Sequence, residues 1–175
     1  MDLTEYIRTV SDFPEPGIMF RDVTTLFAEP RAFKAMIEQF NQKFNGLDID
    51  YIGGIDARGF IIGAALAFTR DIGFVPVRKK GKLPYDTIAE DYALEYGTAT
   101  LELHTDAVSA DSKVLIVDDL IATGGTAIAA TNLFKKLNAE VVGCAFLVNL
   151  HDLGGADKLR ALDVNVTSLC AFSGH

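Results

Sequence analysis

The sequence predicts an α/β fold whose largely parallel central sheet is flanked by helices. Three observations predict it. Short apolar runs alternate with stretches of helical spacing, the pattern of successive strand–helix–strand units. Two of the runs, Lys113–Val117 and Val141–Leu150, are continuously apolar rather than alternating, as strands covered on both faces are. Two runs also end in polar turns that contain glycine, and in such sheets ligands bind beyond the carboxyl ends of the strands.

The elements follow in order. Leu3, Tyr6, Ile7 and Val10 fall at helical spacing and predict a short amphipathic first helix. Two prolines and a glycine make Ser11–Gly17 a turn or loop. Pro30 suits the first turn of a second helix, with Phe33, Met36, Ile37, Phe40 and Phe44 on its apolar face. Tyr51–Ile55 reads as a strand, residues 56–59 (Asp-Ala-Arg-Gly) as a turn, and Phe60–Arg70 as a helix. Gly73–Arg78 begins another strand. The polar, charged stretch Lys79–Glu95 is expected to be a mobile loop. Thr98–His104 alternates in strand fashion, with Ala99, Leu101 and Leu103 on one side. Between the strands Lys113–Val117 and Val141–Leu150, a helix is marked by Ala127, Ala130, Leu133, Phe134 and Leu137.

The 175 residues fit one domain, taken here as 1–175, and bury enough core to need no disulfide or structural metal. The net charge of −8 disfavours non-specific nucleic-acid binding. Against that background Arg78, Lys79, Lys80 and Lys82 form a local basic cluster. Cys144 and Cys170 lie in apolar runs without a Cys-x-x-Cys spacing and read as buried, reduced thiols. The start lacks the apolar core of a signal peptide, and no run approaches the roughly 18 apolar residues of a membrane span. A cytoplasmic location without membrane contact is therefore expected. The three histidines have no carboxylate or cysteine at ligand spacing, so no metal site built from protein side chains is expected.

The most informative segment is Val114–Thr126, VLIVDDLIATGGT. An apolar strand delivers Asp118 and Asp119 at its carboxyl end, and the chain then turns through Ala122, Thr123, Gly124, Gly125 and Thr126 into a helix. Free N–H groups at a helix start attract an oxyanion, and threonine hydroxyls add donors. Ionised carboxylates only accept, which suits them to vicinal hydroxyls. Phosphate donors one short loop from diol acceptors describe a site for a ribose 5-phosphate. A plain strand-to-helix turn with an acidic cap is the structural alternative. The Walker A and dinucleotide glycine patterns are both absent.

Val114–Thr126 resembles the phosphoribosyl pyrophosphate (PRPP) signature of the type I phosphoribosyltransferases. The resemblance extends over the whole chain, and FPEPGIMFRDVT (13–24), GIDARGF (54–60), RKKGKLP (78–84), LEYG (94–97) and the closing FSGH (172–175) are similar to adenine-specific members. It implies the type I phosphoribosyltransferase fold, with a small hood from the N-terminal part and a flexible loop over the site. It also implies an activity, adenine and PRPP giving AMP and pyrophosphate, with Mg²⁺ arriving on PRPP, and a homodimer.

The same resemblance implies roles for the remaining motifs. Residues 56–59 become the pyrophosphate loop, with Ala57 and Arg58 at the leaving group. A non-proline cis peptide is common there, and Ala57 stands where serine is usual. Arg78, Lys79 and Lys82 become pyrophosphate contacts, with Arg78 reaching toward a neighbouring subunit and Lys80 unassigned; on their own they read as a solvated cluster. Glu95 becomes the proton-handling group and Tyr96 part of the lid, whereas the residues alone describe a solvated glutamate in a loop. Met19, Phe20 and Arg21 become the adenine hood, with Phe20 stacking on the purine and Leu150 as the opposite apolar wall.

Three other readings remain. Another base, such as guanine or xanthine, shares the sugar signature, but residues 20–22 and 94–97 favour adenine. A PRPP-sensing regulator would carry a nucleic-acid-binding extension or a broad basic face, and the sequence has neither. A scaffold that merely binds ribose phosphate has no use for Arg58 and the 78–82 cluster.

Overall fold

The computed structural model describes residues 1–94 and 97–174. Leu3–Tyr6 forms a single 3₁₀ turn capped by Asp2, and the chain then extends into β1 (Arg8–Ser11). The expected first helix is therefore cut short. Val10 pairs with Phe20 on β2 (Met19–Asp22), in an antiparallel ribbon separate from the main sheet. A short helix that the sequence pattern did not reveal, α1 (Thr24–Ala28), follows. Pro30 then occupies the first turn of α2 (Pro30–Lys43), whose Met36, Ile37 and Phe40 are buried, as their spacing predicts.

Next come β3 (Tyr51–Ile55), α3 (Arg58–Arg70), β4 (Gly73–Lys79), β5 (Thr87–Ala93) and β6 (Thr98–His104). The chain continues through β7 (Lys113–Ile121), α4 (Gly125–Lys136), β8 (Glu140–Leu150), α5 (Gly155–Arg160) and β9 (Val166–Phe172). Two expectations change here. The stretch expected to be a mobile loop contains β5, paired along its length with β6. The strand expected to stop at Val117 runs on through both aspartates to Ile121.

The main sheet has the order β5-β6-β4-β3-β7-β8-β9. From β4 to β9 all neighbouring pairs are parallel; β6 and β5 add an antiparallel edge. One core lies between the sheet and the N-terminal helices, where Met36, Phe40, Ile62 and Leu66 meet Ile52, Leu115 and Val117. The other lies beneath α4 and α5, where Ala130, Leu133, Phe134 and Leu159 meet Val114, Ile116 and Phe146. A sheet covered on both faces explains why β7 and β8 read as continuous apolar runs.

The topology places the site. From β3 the chain crosses through α3 to β4 on one side; from β7 it crosses through α4 to β8 on the other. Neighbouring strands that leave in opposite directions open a crevice at their carboxyl ends. Because β3 and β7 pair directly, Gly54 beside Val117, the turn after β3 and the turn after β7 lie side by side. No helix among the described residues is long and apolar enough to cross a membrane.

Candidate active site

Asp118 and Asp119 sit at the crevice with opposite environments. Asp119 is buried and receives Arg58 Nε at 2.5 Å on its Oδ2. Asp118 Oδ1 accepts the Asp119 N–H at 2.9 Å. Burial, followed by the neighbouring Asp119 charge, pushes the Asp118 carboxyl well above the usual carboxylate range. Arg58 responds differently. Burial works against its charge, but the Asp119 hydrogen bond and the Asp119, Asp118 and Asp22 charges outweigh burial and raise its pKa. Arg58 thus binds Asp119 directly, while Asp118 acts on it only through its charge.

That contact needs α3 to start very near the end of β7. A Cβ on Gly59 would lie 2.6 Å from the Val117 carbonyl oxygen and 3.0 Å from Asp118 Oδ1, so glycine is what permits the approach. The Asp56–Ala57 peptide just before it is cis, the feature implied for this loop. Ala57 itself is exposed.

After β7 the chain forms the glycine-containing turn Ala122–Thr126. Asp118, Ala122, Thr123, Gly124, Gly125 and Thr126 line a cleft of about 160 Å³ together with Phe146. Gly124 adopts φ +89°, a left-handed conformation that suits glycine, and Gly125 begins α4. The first-turn N–H groups of α4 have no partners within the helix and supply donors for an anion. A larger depression, about 580 Å³, opens near Asp50, Asp71 and Asp111 at the amino ends of the strands. Ligands in doubly wound sheets bind at the other end, and this wall is acidic, so the smaller cleft is the candidate site.

The basic cluster is divided. Arg78 turns back on its own chain: Nε meets Asp56 Oδ2 at 3.3 Å, Nη1 the Lys82 carbonyl at 3.4 Å, and the guanidinium lies 5.8 Å from the Phe60 ring centroid. Arg78 is thereby tied to the turn that carries Arg58. Lys79, Lys80 and Lys82 are exposed. Asp56, which organises this contact, lies inside the quoted motif without an assigned role; its partner Arg78 is 22 positions away, and no local pattern pairs them.

Met19, Phe20 and Arg21 are half-buried on β2. Phe13 packs edge-on against Phe20 at 5.2 Å. Arg21 lies 4.5 Å from the centroid of the Phe172 ring and donates from Nη1 to Thr9 Oγ1 at 2.5 Å. Phe172 and Leu150 are partners at the carboxyl ends of β9 and β8, so the ribbon and the Leu150 wall meet at the same end of the sheet. Asp22 fastens this ribbon by accepting Arg8 Nη2 at 2.5 Å and Thr24 N–H at 2.9 Å. The Thr24 hydroxyl bond and then the Arg8 bond hold its carboxyl down to about 2. Glu95 and Tyr96 lie outside the described residues. Among the described residues no group of three or more His, Cys, Asp or Glu is arranged to hold a metal.

A doubly wound sheet with an acid pair and a glycine-rich turn at its switch point is an arrangement suited to phosphorylated sugars. Comparison with known proteins sharpens this. The phosphoribosyl transferase domain family matches residues 22–171, and the chain belongs to that family. Among the curated relatives it matches are adenine phosphoribosyltransferases. The one from Dinoroseobacter shibae is 56% identical over 98% of this chain and 96% of its own. The one from Parvibaculum lavamentivorans is 50% identical with both chains fully covered. Among solved structures, adenine phosphoribosyltransferase from Rhodothermus marinus superposes with a TM-score of 0.91 at 50% identity, covering 97% of this chain and 96% of its own. The Saccharomyces cerevisiae enzyme, complexed with an imino-altritol bisphosphate and adenine, gives 0.90 at 39% identity, covering 95% and 96%.

Proposed function

We propose that the chain, acting as one phosphoribosyltransferase domain over residues 1–175, transfers the 5-phosphoribosyl group from PRPP to adenine. The products are AMP and pyrophosphate, which is purine salvage. The observation that carries the sugar half is the Asp118–Asp119 pair and the Ala122–Thr126 turn at the β3–β7 crevice, with Arg58 bridging to them. Likeness over the full chain to adenine phosphoribosyltransferases supports the base.

The residues divide the work. The donors of Thr123, Gly124, Gly125 and Thr126 hold the 5-phosphate. Asp118 and Asp119 accept from the ribose hydroxyls. Arg58 spends one of a guanidinium's five N–H groups on Asp119, and the others face the leaving pyrophosphate. Arg78, Lys79 and Lys82, with the Ala57 turn, complete the leaving-group site. Loss of pyrophosphate leaves an oxocarbenium-like C1, and catalysis rests on positioning, on charge at the leaving group and on excluding water. Phe20 stacks on adenine opposite Leu150; Met19 and Arg21 complete the hood. Glu95 handles the purine proton and Tyr96 belongs to the lid.

Mg²⁺ arrives with PRPP and neutralises pyrophosphate charge. The oxygen donors of Asp118 and Asp119 beside the crevice suit a hard cation that takes most of its ligands from substrate phosphates and water. A cytoplasmic homodimer is the expected state. Its support is an exposed apolar stripe on α3, Ile61, Ala64 and Phe68, with Phe68 87% exposed. Phe68→Asp should shift the sedimenting species from dimer to monomer; an unchanged dimer places the interface elsewhere. The function itself is tested by AMP formation from PRPP, Mg²⁺ and a panel of bases.

A further inference from the structure

The turn that binds phosphate is built from outside by a segment about thirty residues later. The Gly155 N–H donates to the Ala122 carbonyl at 3.0 Å. Lys158 Nζ donates to the Thr123 carbonyl at 3.1 Å. Gly124 and Gly155 are in backbone contact: a Cβ on Gly124 would lie 2.9 Å from Gly155 Cα, and one on Gly155 would lie 2.7 Å from Gly124 N and collide with the Ala122 carbonyl. The platform is fixed, since Ala156 and Leu159 of α5 are buried in the same core as Ile121, Ala127 and Phe146.

Peptide geometry turns these contacts into a consequence for the ligand. In a planar trans peptide the carbonyl and the following N–H point in opposite directions. Drawing the Ala122 carbonyl toward Gly155 turns the Thr123 N–H away from α5, and drawing the Thr123 carbonyl toward Lys158 does the same for the Gly124 N–H. The cleft is lined by Asp118, residues 120–127 and Phe146, and by no residue of α5. The ammonium also polarises the Thr123–Gly124 peptide, which strengthens the Gly124 N–H as a donor.

We propose that Gly155 and Lys158 are positioning residues for the phosphate turn, orienting the Thr123 and Gly124 N–H groups toward the 5-phosphate of the substrate. This rests on the reading of Ala122–Thr126 as the phosphate site. Neither residue touches substrate; the Gly155 N–H and the Lys158 ammonium act through the carbonyls of Ala122 and Thr123.

The test uses the full chain with Lys158→Met, Lys158→Arg and Gly155→Ala. Losing the ammonium should raise KM for PRPP about ten-fold, equivalent to about 1.4 kcal/mol, with kcat and the adenine KM within about two-fold of the parent. Lys158→Arg should restore most of the loss, and Gly155→Ala should match or exceed Lys158→Met. Inorganic phosphate, competing with PRPP, should weaken in parallel. The inference is overturned if PRPP KM and phosphate inhibition stay within about two-fold of the parent, or if the adenine KM rises equally. Should the parent itself make no AMP, the functional reading fails instead. Phosphate-dependent thermal stabilisation of parent and Lys158→Met then decides this inference: a smaller shift in the variant supports it, and equal shifts overturn it.

Discussion

Arg58 Nε lies 2.5 Å from Asp119 Oδ2, joining the start of the helix after β3 to the acid near the end of β7. The two residues are 61 positions apart, and their contact ties the turn at 56–59 to the aspartate pair of β7. Asp119 is the more enclosed partner, its side chain 6% exposed against 47% for Arg58.

Asp119→Asn removes the charge that holds Arg58 and one acceptor for the ribose hydroxyls. Charge-assisted hydrogen bonds are worth about 1.5–3 kcal/mol, so kcat/KM for PRPP should fall roughly ten- to a hundred-fold. Steady-state kinetics at saturating adenine measures it. An unchanged kcat/KM would remove Asp119 from the sugar site.

Glu95→Ala should leave PRPP binding nearly intact and slow turnover. Positioned general acid–base groups contribute about 10²–10⁴-fold, which sets the expected loss in kcat. Calorimetric PRPP titration beside single-turnover rates separates the two effects. Weakened PRPP binding with a normal rate would make Glu95 a binding residue instead.

Asp22 supplies a pH dependence. Its folded pKa is depressed from 3.8 to about 2, mainly by the Thr24 hydroxyl and by Arg8. Its stabilising contribution is therefore complete above 3.8 and is lost as pH falls through about 2. Asp22→Asn should cost about 1 kcal/mol near neutral pH, a Tm drop of about 2–4 °C. That gap should close across the window from 3.8 down to about 2. A gap that persists at the acid end would mean that shape, not charge, fastens the N-terminal ribbon.

Much of the fold was legible because its signals were local. Continuous apolar runs marked β7 and β8, and Pro30 with its helical spacing marked α2. Strand β5 was hidden for a physical reason. Its inward positions are Ile88, Glu90 and Tyr92, and the glutamate breaks the hydrophobic alternation. That glutamate is tolerated because Lys136 and Asn132 on α4 meet it at 2.5 and 3.1 Å, partners no local pattern shows. The first helix failed where Val10 found Phe20 across the ribbon.

The site was legible where one loop carries its own chemistry, as Asp118–Thr126 does. Contacts that depend on distant segments were not: Arg58 with Asp119, Arg78 with Asp56, and Lys158 with the Thr123 carbonyl. Sequence placed Arg58, Asp119, Arg78 and Asp56 in motifs but could not say which of them meet, and no motif included Lys158.

The most direct test of the central claim is nucleotide formation from PRPP and Mg²⁺ with adenine, guanine, hypoxanthine and xanthine offered separately. Adenine should give AMP and stoichiometric pyrophosphate, and the 6-oxopurines little or no product. Consumption of a 6-oxopurine without adenine-dependent AMP, or tight PRPP binding without turnover of any base, would contradict it.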